Sequence, residues 1–83
     1  MTKRKKIKIE EKKLGRERAW GQMFSGENKI QIDPRLKAKR RLTIVIHECL
    51  HVLFPNMSET KVDKASIKIG KVLWEDRYRR IER

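Results

Sequence analysis

His47-Glu48-Cys49-Leu50-His51 places two imidazoles four residues apart with a carboxylate between them. On a helix, residues at that spacing lie one turn apart on the same face, with β-carbons about 5–6 Å from each other. Two neutral imidazole nitrogens can then converge on one divalent ion. Zinc takes such nitrogens at about 2.0–2.1 Å, and three protein ligands plus a water make the open tetrahedral site that hydrolysis requires. Glu48, next to His47, can reach that water as a general base. The pattern H-E-x-x-H on a helix therefore specifies one zinc per chain, with His47 and His51 as ligands and Glu48 as the proton carrier.

The same residues have a bland reading, in which the histidines are ordinary polar groups and Glu48 is surface charge. Leu42, Ile44, Val45, Ile46, Leu50, Val52, Leu53 and Phe54 surround them on nearly every side of the helix. An unpaired carboxylate in such surroundings costs several kcal/mol or takes up a proton, so a bound ion is the economical account. A third ligand must come from beyond the chain reversal at Pro55, where the acidic residues are Glu59 and Asp63. They too are four apart. Glu59 is read as the third ligand and Asp63 as a carboxylate that orients a ligating imidazole. The spacing leaves Asp63 as the alternative ligand.

The elements that position these groups follow from periodicity and turn chemistry. Lys6-Ile7-Lys8-Ile9-Glu10 alternates as a half-buried strand does, after a basic tail at Met1–Lys5. A turn near Gly15 follows. Arg18–Phe24 and Lys29-Ile30-Gln31-Ile32 flank the turn-forming Ser25-Gly26-Glu27-Asn28 and should pair as a hairpin. Asp33-Pro34 reads as a helix start, giving a first helix from about Pro34 to about Phe54. Pro55-Asn56 ends it, and Ser58 caps a second helix whose Val62, Ala65, Ile69, Val72 and Leu73 recur at helical spacing. The predicted class is α+β: a small antiparallel sheet of about three strands, then two helices, in one domain spanning residues 1–83.

The order His47-Glu48-x-x-His51 followed by Glu59-x-x-x-Asp63 resembles the gluzincin metallopeptidases, the clan of thermolysin. It is also similar to the compact members of that clan, including the repressor-cleaving peptidases of phages and mobile elements, over about Arg18 to Leu73. The resemblance implies a minimal zincin core and a zinc endopeptidase with His47, His51 and Glu59 as ligands and Glu48 as general base and acid. It further implies that Asp63 bonds to a ligand histidine, with His47 the expected one, and that a peptide or protein substrate adds as a strand along the sheet edge. Seven residues separate His51 from Glu59, fewer than in the large members. There is no third His, and the only Tyr, Tyr78, is far from the motif.

Composition bounds the alternatives. At 83 residues the chain is near the lower size limit for one self-supporting core, where a metal helps to hold the fold. Its formal charge of +12, from 23 Lys and Arg against 11 Asp and Glu, attracts polyanions. Lys61, Lys64, Lys68 and Lys71 share one helix face, in the plain reading a solvated one. With the tail and residues 35–41 they could associate weakly with nucleic acid, which makes a nucleic-acid-binding module with a structural zinc the rival class. An inactive zincin that holds a protein partner is a third. Cys49, the single cysteine, is read as core and as favouring a reducing compartment, the cytoplasm (a host's, for a phage protein). Trp20, Phe24 and Trp74 are read as packing residues, and Gly70 as a possible point of close helix approach. No segment is apolar for long enough to suggest a membrane span or a signal peptide.

Overall fold

The computed structural model describes residues 6–13, the backbone of 21–24, and residues 28–81. The basic tail, the turn near Gly15, Trp20 and the side chains of Met23 and Phe24 lie outside the described residues. Three strands precede two helices: β1 (Lys8–Glu11), β2 (Gly21–Phe24), β3 (Lys29–Ile32), α1 (Ala38–Leu53) and α2 (Glu59–Glu75). The architecture is α+β.

The sheet has the order β1-β3-β2. β2 and β3 pair antiparallel with Phe24 opposite Lys29, as expected of the hairpin. β1 instead runs parallel to β3, Lys8 beside Lys29 and Glu11 beside Ile32. The expected antiparallel sheet is therefore a mixed one. Alternation within Lys6–Glu10 indicates a strand but carries no information about its partner's direction. Gln31 ties the parallel pair together, its Nε2 donating to Glu10 Oε1 at 2.6 Å. β3 is the central strand, and its Ile30 and Ile32 are fully buried.

α1 packs against β2 and β3 on one side and against α2 on the other; among the described residues α2 makes no contact with the sheet. The histidine-bearing helix is thus the middle layer. It begins at Ala38, later than the expected Pro34, because the Asp33 carboxylate is engaged elsewhere. Asp33, fully buried, accepts from the backbone N–H of Arg35 at 2.9 Å and from the Arg35 guanidinium at 2.9 and 2.7 Å. This closes a turn over 33–36, with Leu36 N–H donating to Asp33 C=O, instead of capping a helix.

The turn between the helices follows the sequence reading. The backbone N–H of Phe54 closes α1 on Leu50 C=O, and Met57 N–H bonds to Phe54 C=O across Pro55. Ser58 then caps α2, its Oγ accepting from Lys61 N–H at 3.2 Å. The packing face of α2 differs from the expected one. Val62, Ser66 and Gly70 are buried, whereas Ile69 and Val72 are exposed. Small side chains at one-turn intervals let the helices approach closely: a β-carbon added at Gly70 would lie 2.8 Å from Thr43 Oγ1. Beyond α2, Arg77 adopts a left-handed φ of 67°, and the chain folds back so that the Arg79 guanidinium stacks 3.4 Å from the Trp74 ring centre. No described helix is long and apolar enough to cross a membrane.

Candidate metal centre

Two residues one turn apart on α1 face two residues one turn apart on α2. His47 and His51 project from the middle layer, and Glu59 and Asp63 meet them from the first turns of the returning helix. The short reversal at 54–58 makes this possible, since it turns the chain around while leaving Glu59 as the first residue of α2.

The donors converge tightly. His47 Nε2 and His51 Nε2 are 3.1 Å apart. The Glu59 carboxylate spans them, with Oε1 at 2.9 Å from His47 Nε2 and Oε2 at 3.0 Å from His51 Nε2. Asp63 Oδ1 lies 3.1 Å from the other ring nitrogen of His47, Nδ1. His47, His51 and Glu59 form a three-residue group suited to holding a metal ion. Ligand atoms around a tetrahedral zinc with bonds of about 2.0–2.1 Å are roughly 3.4 Å apart. The three separations fall a few tenths of an ångström inside that figure, and one donor atom from each residue lies within 4.8 Å of the others.

The geometry of this cluster leaves room for a proton or a metal ion to be shared among its donor atoms. If Asp63 accepts the proton on His47 Nδ1, a neutral His47 presents a lone pair at Nε2. That lone pair then faces a carboxylate oxygen and a second imidazole nitrogen. Lone pairs directed at one another repel unless a proton or a metal ion lies among them. The donor set, two borderline imidazoles and one carboxylate, suits zinc. The imidazoles are largely shielded, their side chains 15% and 22% exposed, while Glu59 is 65% exposed, so the cluster opens towards solvent on its α2 side.

Glu48 is the one buried residue of α1, at 8% exposure. Burial pushes its carboxyl above the ordinary carboxylate range; His47 and His51 pull it back, and the charge of Glu59 raises it further. Burial likewise raises the Cys49 thiol, with the Glu48 charge acting in the same direction. Cys49 is only partly buried and takes no part in the cluster.

A groove of about 540 Å³ adjoins the cluster between α1 and α2. His47 and Asp63 form one end of it, Ile44 and Ile67 supply apolar wall, and Lys37, Lys39 and Arg40 line the far end. The sequence reading gave Ile67 no role and Ile44 only that of an apolar neighbour of the motif. The available signal was helical phase, because Ile44 precedes His47 by three residues and Ile67 follows Asp63 by four. Tyr78 lies past the end of α2 and is 61% exposed.

No family model matches the chain, and neither the curated proteins nor the solved structures searched contain a match. The functional reading accordingly stands on the geometry of the cluster and the chemistry of its donors.

Proposed function

We propose that this chain is a zinc-dependent metallopeptidase of gluzincin type, built on a minimal zincin core and acting on a peptide or protein substrate in the cytoplasm. The observation that carries the reading is the approach of His47 Nε2 to His51 Nε2 at 3.1 Å, and of each to one oxygen of Glu59 at 2.9 and 3.0 Å, next to a buried glutamate in the sequence. His47, His51 and Glu59 would hold the ion, and Asp63 would fix the ring of His47 and its tautomer. Zinc held by these donors supplies a Lewis acid and lowers the pKa of water at its open position.

The remaining work falls to the protein. Glu48 accepts a proton from the attacking water and delivers it to the leaving amine nitrogen, so it acts first as base and then as acid. A carboxyl raised by burial suits both halves of that exchange, because its two protonation states lie closer in free energy near neutral pH. The substrate backbone would add to the edge of β2, the edge strand that packs on α1. The groove beside His47 would receive one of its side chains.

Metal content and hydrolysis test this reading together. Elemental analysis of the purified wild type should find one zinc per chain, and His47→Ala and Glu59→Ala should lose it. Mass spectrometry of a peptide library incubated with the zinc-loaded wild type should show cleavage. Failure to bind zinc after reconstitution would overturn the proposal.

A further inference from the structure

We infer that the outward face of α2 is a docking surface for the phosphodiester backbone of nucleic acid, separate from the metal cluster. Lys61, Lys64, Lys68 and Lys71 succeed one another at steps of three, four and three residues and are all exposed. None of the ion pairs among the described residues involves any of them. Glu59 and Asp63, the acidic residues in the first turns of the helix, lie on its other side and are turned towards the α1 histidines. Glu75 alone shares the C-terminal end of the lysine face.

The row fits a repeating anion. From Lys61 to Lys71 the helix rises about 15 Å, with the amines carried on flexible stems at intervals of about 4.5–6 Å. A nucleic acid strand offers a phosphate about every 3.4 Å along the duplex axis, so the stems can follow one strand. Lysine amines are point charges without the fork geometry that reads base edges, so this face would position the chain without selecting sequence.

A membrane surface is the less suitable polyanion. A helix that lies on lipid buries an apolar face beneath its lysines. The face of α2 opposite the lysines, Val62, Ser66 and Gly70, is packed against α1, and the apolar residues that α2 exposes, Ile67 on one side of the lysine row and Val72 and Ile69 on the other, are divided by it and form no continuous apolar face. The lysine face and the cluster thus lie on different sides of one helix, and both can be occupied at once.

The test is the salt dependence of binding to a short fluorescent DNA duplex, measured by anisotropy with the full-length chain between about 50 and 200 mM salt. Replacing all four lysines with Gln should weaken binding by at least tenfold and flatten the slope of log K against log salt by roughly three to four. The single changes Lys64→Gln and Lys68→Gln should each flatten it by about one, which keeps the test valid should the fourfold variant misfold. Replacing Lys6, Lys8, Lys12 and Lys13 with Gln removes the same charge from β1 and its flanks and should cost much less. Equal losses from the two fourfold variants would overturn the inference, leaving net charge as the cause. So would an unchanged slope in the α2 variants, or tighter binding to phosphatidylserine vesicles than to DNA.

Discussion

Asp63 Oδ1 lies 3.1 Å from Nδ1 of His47, on the side of the ring away from Glu59. The imidazole is therefore held at both nitrogens by carboxylates from one helix. A carboxylate on Nδ1 fixes the tautomer that leaves Nε2 free to ligate. Asp63→Asn should accordingly weaken zinc binding about 10- to 100-fold without abolishing it. Competition against a chromogenic chelator would measure this, and an affinity equal to wild type would remove Asp63 from the site. Glu59→Ala should cause the larger loss, since it removes a donor.

On the proposed mechanism Glu48 separates binding from chemistry. The Glu48→Gln protein should retain one zinc and the wild-type circular dichroism spectrum while losing hydrolysis by at least about a hundredfold, the lower range for a general base. Comparable turnover by the variant would assign the proton transfer to another group.

The Thr43–Gly70 contact sets the distance between the two helices that carry the donors. In Gly70→Ala the new methyl group meets Thr43 Oγ1, and overpacking of this kind costs about 1–3 kcal/mol. The higher helix propensity of alanine, about 1 kcal/mol, offsets only part of that. Urea denaturation should show a net loss, and zinc affinity should fall with it. Adding Thr43→Ala removes the opposing oxygen and should recover most of both; if it recovers neither, the close approach is not the reason for glycine at this position.

Zinc should stabilise the fold, because its candidate donors are divided between two helices. At a free concentration one hundred times Kd, an ion bound only by the folded state contributes about 2.7 kcal/mol. For a domain of this size that corresponds to a rise in Tm of roughly 10–20 °C. Thermal melts with and without a chelator would test it, and coincident melts would mean that the ion does not bridge α1 and α2.

Legibility from sequence followed how local the controlling physics is. The spacing of His47 and His51, the break at Pro55 and the cap at Ser58 are local, and the helical hairpin they define was readable in outline. So was the juxtaposition of Glu59 and Asp63 with the histidines, once a tight reversal was assumed. The direction of β1 was not readable, because its pairing with β3 depends on a partner some twenty residues away. Asp33 misled for a different reason. An Asp before Pro reads as a helix start, but a nearby guanidinium and backbone N–H compete for the same oxygens. The α2 seam departed from expectation because hydrophobicity favours Ile69 and Val72, whereas close approach favours Ser66 and Gly70.

Among the described residues α2 leans on α1 and on no strand. Such a helix is the part of a fold that opens first, and its inner end is where the two carboxylates meet the two imidazoles. An ion there would act as a latch as well as a reagent. With zinc scarce, the chain would be left with one helix loosely fastened, the form in which proteases find their cut sites. Metal supply would then govern the lifetime of the protein along with its chemistry.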